Sequence, residues 1–322
     1  MPLAVGRRSA LACLALALPS KARADTWPSR PVTLVVPQGP GSGSDVSARL
    51  LATYMAGPLG QPVVVENRTG GGGTIGHQSV ARAPADGYTL LFSSTALLLV
   101  VPVMNPSARY TMDDFVPVAS VLRAPFAILV ASTPSAPKTL AELISTLRAS
   151  PAAYASAGVG TMTHLGSEAF LRRAGVKASH IPYRGSGQAL TDLMGGQVLF
   201  ATDSLTAAMP HIGSGKLRAL AVTGDRREAA LPDVPTLAEA GLPGQSIAII
   251  GGLFAPKATP EDVLSRVDSA VQGALANPEL IARFDASQTE ILREPRAAFA
   301  QQLRDEAPSW RGLVRELDLK VE

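Results

Sequence analysis

The chain has 322 residues, of which 46% are hydrophobic and 17% are charged, and its formal charge is +3. This length is enough for two globular domains. The single cysteine excludes an intrachain disulfide and a site made of several thiolates. The small net charge gives no reason to expect a nucleic-acid partner.

The amino terminus carries the pattern of a secretory signal peptide. Arg7 and Arg8 precede the apolar run 10–18, which is followed by a small-x-small sequence at 22–24. The apolar run is shorter than the ~20 residues that cross a bilayer. We therefore predict a signal peptide over residues 1–24, cleaved near Ala24-Asp25. Its removal takes away four basic residues, no acidic residue and the only cysteine, so the remaining chain has a formal charge of −1.

After the leader, strand-like and helix-like segments alternate along the chain. The predicted strands are 32–36, 63–66, 89–93, 126–131, 154–155, 180–181, 198–201, 217–222 and 247–254. The predicted helices are 45–56, 76–83, 140–149, 164–174, 188–194, 205–213, 260–276, 278–286 and 295–317. Thr139 is the expected cap of the helix at 140–149. Short alternating units of this kind favour parallel sheets covered by helices.

The strands fall into two blocks, and this division predicts two lobes. The helices at the carboxyl end have no strands of their own, so we expect them to pack on the first block. The chain would then cross between the lobes near 124–126 and again near 250–254, and two crossings form a hinge beside a cleft. The predicted limits are 25–125 plus 250–322 for the first lobe and 126–249 for the second.

The loops that follow the strands are rich in glycine and hydroxyl residues. The first loop is typical: an apolar strand leads into the sequence PQGPGSGSD and then into a helix. A helix start presents unpaired backbone N–H groups and a partial positive charge, and glycine lets a ligand approach the backbone closely. Such a junction binds an anion without help from lysine or arginine.

Ligands of open α/β sheets lie at the carboxyl ends of the strands. Several loops of this composition at equivalent places favour one shared ligand cleft over a set of ordinary turns. The residues predicted to contact the ligand are Gln38, Gly39, Gly41, Ser42, Gly43, Ser44, Asp45, Ser94, Thr95, Ser156, Ala157, Gly158, Gly160, Thr161, Thr163, His164, Gly185, Ser186 and Asp203.

Seven segments spread over the chain after the leader carry a family resemblance. They are WPSRPVTLVVPQGPGSGSDVSARLLA, QPVVVENRTGGGGTIG, ADGYTLL, YASAGVGTMTHL, IPYRGSGQALTDLMGGQV, GKLRALAVTGDRR and LPDVPTLAEAGLPG. In this order they resemble the periplasmic receptors of tripartite tricarboxylate transporters, also called Bug-type solute-binding proteins.

The resemblance implies a two-lobed α/β periplasmic binding protein of type II-like fold. Each lobe would be a mainly parallel sheet flanked by helices, with two crossover connections at the hinge. The lobes would close on a small carboxylate, gripped by backbone N–H groups, hydroxyls and ordered water. The expected protein is a periplasmic monomer that delivers its ligand to inner-membrane transporter subunits, and no cofactor or metal is expected.

Four features of the sequence each allow two interpretations. Asp45 is either a helix cap or a polar ligand contact, and repulsion between carboxylates favours the cap. Asp203 raises the same concern about repulsion, and it either anchors a donor group of the ligand or bridges to it through water. Arg184 either pairs with the ligand or lies beside a surface turn. The apolar run 97–101 either lines the distal pocket, which favours a monocarboxylate or aromatic acid over a tricarboxylate, or belongs to the core.

The alternative function is a secreted enzyme or a ligand sensor acting on a small carboxylic acid. The sequence contains no G-x-S-x-G elbow. The histidines at 77, 164, 180 and 211 are not spaced as metal ligands. No nucleophile–base pair can be recognised, so we predict that the protein is not an enzyme.

Overall fold

The computed structural model describes residues 27–105, 107–244 and 247–317, so the predicted signal peptide lies outside the described residues. The strands are β1 (Val32–Val36), β2 (Val63–Asn67), β3 (Thr89–Ser94), β4 (Phe115–Ala131), β5 (Ala153–Ser156), β6 (Ser179–Pro182), β7 (Phe200–Ser204), β8 (Leu217–Val222), β9 (Ala248–Pro256) and β10 (Glu290–Ile291). The helices are α1 (Gly43–Leu59), α2 (Thr74–Ala81), α3 (Thr95–Met104), α4 (Leu140–Ala149), α5 (Met162–Ala174), α6 (Ser186–Met194), α7 (Leu205–Gly213), α8 (Glu261–Leu275), α9 (Pro278–Ala286) and α10 (Arg296–Leu317).

Local sequence explains why these segments begin and persist where they do. Strand β1 reads VTLVV and lies between β2 and β3, where both faces of a strand are buried and a continuous apolar run is favoured. The predicted cap of α4 is confirmed, because the Thr139 hydroxyl accepts the backbone N–H of Glu142. None of the described helices is long and apolar enough to span a bilayer.

The strands form two mixed sheets. In the first sheet β1 pairs in parallel with β2 and β3, whereas β9 runs antiparallel to β3 and β4. In the second sheet β5 pairs in parallel with β6 and β7, whereas β4 runs antiparallel to β7 and β8. The expectation of mainly parallel sheets is therefore corrected: each sheet has a parallel half and an antiparallel half. The antiparallel half arises because β4 and β9 are crossing strands rather than parts of βαβ units.

Strand β4 belongs to both sheets, and it forms the first crossing. Its residues up to Pro125 pair with β9, and its residues from Phe126 onward pair with β7. The second crossing lies next to the first, since the Ile247 N–H donates to the Thr223 carbonyl beside β8 and Ala248 already pairs with Pro125. The crossing predicted at 250–254 is therefore placed a few residues late, and that segment lies inside the first sheet.

The helices at the carboxyl end pack on the first sheet. Helix α8 lies against α1 and β4, and α10 lies against α3 and β4. The far end of α10 reaches the second lobe, where Glu316 forms an ion pair with Arg172 of α5 at 3.2 Å. The exact residue limits of the two lobes stay a prediction.

Helix α3, the first half of β4 and the two-residue strand β10 were not predicted from the sequence. Helix α3 reads TALLLVVPVM, which is apolar on every side and gives no helical periodicity, so the segment was taken only as an apolar run. The first half of β4 contains Pro117 and Pro125, which weaken its strand pattern.

Replacing Gly252 of β9 by alanine should destabilise the fold. A Cβ at Gly252 would lie 2.7 Å from the Ala119 carbonyl oxygen and 2.8 Å from Cε1 of Phe299, the α10 residue that packs on the sheet. We expect the free energy of unfolding in urea to fall by about 1–3 kcal/mol, the usual cost of overpacking. The matched control is Gly57→Ala in α1, where a Cβ would meet nothing within 4 Å. That control should be neutral or stabilising by up to about 1 kcal/mol, and equal losses in both variants would contradict the packing argument.

Candidate ligand-binding cleft

A cavity of 560 Å³ lies between the two sheets and is lined by four short segments. Pro37 and Gln38 follow β1, and residues 69–73 follow β2. Across the cleft, residues 157–159 and 161 follow β5, and Pro182 to Arg184 end and follow β6. Since β1 is parallel to β2 and β5 is parallel to β6, all four segments lie at carboxyl ends of parallel strands. This is where α/β sheets place their ligands.

A second cavity of 600 Å³ lies on the hinge side, but its lining suits an anion poorly. It is bounded by the crossing strands and one face of α10, and its charged lining residues are Arg123, Asp305 and Glu306. The Arg123 guanidinium is already paired with Asp225 at 3.4 Å and with Glu290 at 3.6 Å. The two carboxyl groups leave this cavity acidic, so the cleft between the strand ends is the better candidate for a carboxylate.

Unpaired backbone amides line the candidate cleft. Among the described residues, no hydrogen bond engages the backbone N–H groups of Gly70, Gly71, Val159 or Arg184. Gly70 and Val159 are half-buried, whereas Gly71 and Arg184 are exposed. Half-buried amides without a partner cost free energy, so a ligand or water is expected to accept from Gly70 and Val159. The four glycines 70–73 all have positive φ, between 57° and 125°, which only glycine adopts without strain.

Arg184 is the only charged residue in the lining of this cleft. Its side chain is exposed, and no hydrogen bond or ion pair to another described residue engages its guanidinium. The hydroxyl of the neighbouring Tyr183 already has a hydrogen-bond partner, because it donates to Asp192 at 2.7 Å. The charge of the lining is therefore positive, and one free cation faces the solvent-accessible edge of the cleft.

Glycines let the two lobes meet beside the cavity. A Cβ on Gly39 or Gly72 would come closer than 3.0 Å to the carbonyl oxygen of Arg184 or Val159, respectively. A Cβ on Gly43 would come equally close to the Ser204 hydroxyl. These glycines are needed for lobe-to-lobe contact, and Gly39 and Gly43 do not have to touch a ligand for that purpose.

Asp45 stabilises the first loop from behind. The N-cap of α1 is Ser42, whose hydroxyl accepts the Asp45 N–H, so the expectation of Asp45 as the cap is corrected by three residues. The Asp45 carboxylate accepts from the Gly41 N–H at 3.0 Å, from Asn67 Nδ2 at 2.8 Å and from Arg49 Nε at 2.9 Å. All three of these donors lie in the first lobe, and Asp45 does not line the cleft.

His77 holds the glycine run of the first lobe. It is fully buried, its Nδ1 donates to the Gly73 carbonyl at 2.8 Å, and its Nε2 pairs with the Ser93 hydroxyl at 2.9 Å. Burial lowers the pKa of His77 to about 4, so the imidazole is neutral near pH 7. The loop that follows β2 is thus fixed by a neutral side chain behind it.

The residues predicted after β3 and β7 lie away from the cleft. Ser94 caps α3 by accepting the Leu97 N–H, and the Thr95 hydroxyl donates to Glu306 at 2.9 Å. Asp203 is buried and accepts the Ser204 N–H at 2.7 Å. Burial raises the pKa of Asp203 to about 6, against hydrogen bonds from Ser186 and Ser204 that lower it.

The structure brings together only part of the predicted set. The predicted residues that line the cleft are Gln38, Ala157, Gly158 and Thr161. Gly43 and Ser44 line a small separate crevice. The predicted residues that line neither are Gly39, Gly41, Ser42, Asp45, Ser94, Thr95, Ser156, Gly160, Thr163, His164, Gly185, Ser186 and Asp203. Whether any of them contacts a ligand stays a prediction.

Sequence reasoning left several lining residues out. They are Pro37, Thr69, Gly70, Gly71, Gly72, Gly73, Val159, Pro182 and Tyr183. Arg184, which the sequence left open between a ligand contact and a surface turn, also lines the cleft. The signal for the glycine run was present, since it follows a strand just as the first loop does. The apolar run 97–101 lies on α3 in the core of the first lobe and does not line the cleft, so it gives no reason to favour an aromatic acid.

Two lobes that each present strand-end loops to a shared cleft, joined by adjacent crossing strands, define a hinged solute-binding protein. The chain belongs to the family described as the tripartite tricarboxylate transporter family receptor, which matches residues 47–319. Protein BugT of Bordetella pertussis is 38% identical over 303 residues, which cover 92% of each chain.

Solved structures support the same assignment. MatC from Rhodopseudomonas palustris, solved with bound malate, is 33% identical with a TM-score of 0.83 and covers 89% of this chain and 100% of its own. The R. palustris protein Rpa4515, solved with adipate, is 31% identical with a TM-score of 0.86. The match covers 91% of this chain and 99% of Rpa4515. The predicted family, the two-lobed α/β fold and the function of a receptor for tripartite tricarboxylate-type transporters are confirmed.

Replacing Gly72 by alanine should hinder closure of the cleft. The new Cβ would clash with the Val159 carbonyl across the cleft, at a residue whose φ is +67°. We expect ligand affinity to fall by about tenfold or more, and small-angle scattering to report a more open shape. The control is Gly215→Ala, which has nearly the same φ of +71° but nothing within 4 Å of its Cβ. It shares the backbone strain of about 1–2 kcal/mol without the clash. Equal ligand affinities in the two variants would therefore contradict the claim that the clash hinders closure.

Proposed function

We propose that this receptor binds a small organic carboxylate in the cleft between the four strand-end segments and releases it unchanged. One observation carries the proposal: the cleft is lined by unpaired amides and one unpaired cation, and no carboxylate side chain lines it. Amides of this kind bind anions because they supply donors and need no desolvated positive side chain.

The cavity volume fits a small acid. Ligand pockets in proteins commonly measure about 300–1,000 Å³, and this cleft measures 560 Å³. Malate and adipate, the ligands of the two related structures, are both dicarboxylates. For this chain they are suitable probes, and the ligand of the chain is proposed only as a member of the same chemical class.

Binding would couple to closure because the ligand is held by both lobes. The first lobe offers the amides of Gly70 and Gly71, and the second offers the amide of Val159 and the side chain of Arg184. A ligand that contacts both sides has more partners in the closed form than in the open form, and so it stabilises the closed form. The predicted contacts Gln38, Ala157, Gly158 and Thr161 belong to the same proposed site.

The family and the predicted leader support a proposal for the cellular setting. Family members are periplasmic receptors that work with tripartite transporters. We propose that this chain is exported after cleavage near Ala24-Asp25, acts as a monomer and presents its ligand to inner-membrane subunits. Absence of the mature amino terminus at Asp25 in the secreted protein would contradict the cleavage site.

The competing function is an enzyme that transforms the acid. Within the described residues, no cluster of three or more metal-binding side chains occurs. The cleft lining contains neither histidine nor a carboxylate to act as a base. Incubation with malate or adipate, followed by denaturation and mass analysis, should return the acid intact in stoichiometric amount, whereas turnover of either acid would support the enzyme.

Replacing Arg184 by glutamine should weaken carboxylate binding with little change in stability. The loss of a charge-assisted hydrogen bond is expected to raise the Kd for malate or adipate by about tenfold in calorimetry. Added salt should reduce the difference, because the guanidinium is exposed.

The matched control is Arg311→Gln, which removes one exposed arginine from α10, remote from the cleft lining. It changes the net charge of the protein by the same amount. If both variants lose affinity equally, the effect comes from overall charge and Arg184 has no local part in binding.

A further inference from the structure

Two stacked histidines lie behind the second-lobe loop that lines the cleft. His164 belongs to the first turn of α5 and His180 to β6, and their ring centroids are 4.0 Å apart with an angle of 6° between the planes. Tyr154 of β5 stacks on His180 at 4.9 Å, and its hydroxyl donates to Glu168. Neither imidazole lines the cleft, so the pair acts on the loop.

Both imidazoles are hydrogen-bonded to that loop. The Gly160 N–H donates to Nδ1 of His164 at 3.1 Å. Nε2 of His180 lies 2.6 Å from the Ser156 hydroxyl, and that hydroxyl accepts the Gly158 N–H at 3.1 Å. The loop is therefore fixed from behind at both of its glycines.

These bonds decide which loop amides are left for a ligand. Thr163 accepts the Ala157 N–H at 2.8 Å, while Ser156 and His164 accept those of Gly158 and Gly160. The Val159 N–H, between the two glycines, has no partner among the described residues. Side chains thus accept from the amides of Ala157, Gly158 and Gly160, the Thr161 N–H donates to the Gly158 carbonyl, and the amide of Val159 is left for the cleft.

The arrangement requires neutral histidines. Nδ1 of His164 accepts a hydrogen bond only when it carries no proton. Two positive rings stacked at this distance would also repel each other. Burial lowers the pKa of His164 to about 3, with a further contribution from His180, and burial lowers the pKa of His180 to about 4. The other titratable groups packed on the pair are Tyr154 and Glu168, which are bonded to each other.

We propose that His164 and His180 are positioning residues, which hold the loop over residues 156–161 in its ligand-binding shape only while both imidazoles are neutral. Acidification would break the Gly160–His164 bond and weaken ligand binding reversibly. The inference rests on the proposed function, since it concerns the same cleft.

Two variants of His164 separate the hydrogen bond from the charge. His164→Asn keeps an acceptor near the position of Nδ1 and cannot be protonated, so at pH 7 it should bind malate or adipate nearly as well as the wild type. His164→Leu has no acceptor, and its Kd should rise by about tenfold. The control is His211→Asn, on α7 and outside the cleft lining.

The pH profile tests the charge. Titration of the ligand, of Asp203 and of His180 occurs in every variant, so the ratio of wild-type to His164→Asn affinity is the quantity to measure. Since one proton shifts an equilibrium by up to about tenfold per pH unit and the pKa of His164 is about 3, the ratio should be constant from pH 7 to 5 and fall about twofold near pH 3 and further below. The His211→Asn profile should follow the wild type. Parallel profiles for wild type and His164→Asn, or wild-type affinity in His164→Leu, would overturn the proposal.

A ligand-free measurement keeps this proposal separate from the proposed function. In the unliganded protein, the Gly160 amide should exchange slowly in wild type and His164→Asn and rapidly in His164→Leu, and nitrogen NMR should show an unprotonated Nδ1 on His164. If no carboxylate binds, the proposed function fails, and the positioning of the loop is decided by exchange alone. Fast exchange of the Gly160 amide in the wild type would reject it.

Discussion

The structure depends on strand β4, which runs without interruption through both sheets. At Pro125 it still pairs with β9, and at Phe126 it pairs with β7, so the two lobes share one covalent and hydrogen-bonded axis. The return crossing at Ile247 lies beside it. Because both connections pass through the same place, they form a single hinge, and the strand ends on either side lie opposite each other. The cleft follows from this constraint.

The cleft itself is a surface of backbone supported by side chains behind it. In the first lobe, Asp45 and His77 hold the loops after β1 and β2, and in the second lobe the stacked histidines hold the loop after β5. Side chains that look functional by type are thus mostly used to fix the main chain. Arg184 is the exception, since it lines the cleft with a charge that no described residue neutralises.

Much of the fold could be predicted because each helix and strand has a local cause. Helices α4, α7 and α9 and strands β1 and β8 were predicted with their observed bounds, from caps, periodicity and apolar runs. Helix α3 was missed because its surroundings are apolar on all sides, and burial in the core overrides periodicity. The class of site was also predictable, from glycine-rich loops after strands. Which residues line the site could not be predicted, because the sequence does not tell which strand ends meet across a hinge. The loops after β1, β2, β5 and β6 line the cleft, whereas those after β3 and β7 lie outside it.

The glycine run at 70–73 has a consequence for how such receptors diversify. The groups proposed to bind the anion there belong to the main chain, which every substitution elsewhere leaves chemically unchanged. Substitution of a lining side chain such as Gln38 would change the shape of the cleft while the proposed amide donors persist. A duplicated gene would therefore keep the amide donors proposed to bind a carboxylate. Selection would then act on the lining side chains that decide which acid fits the cleft.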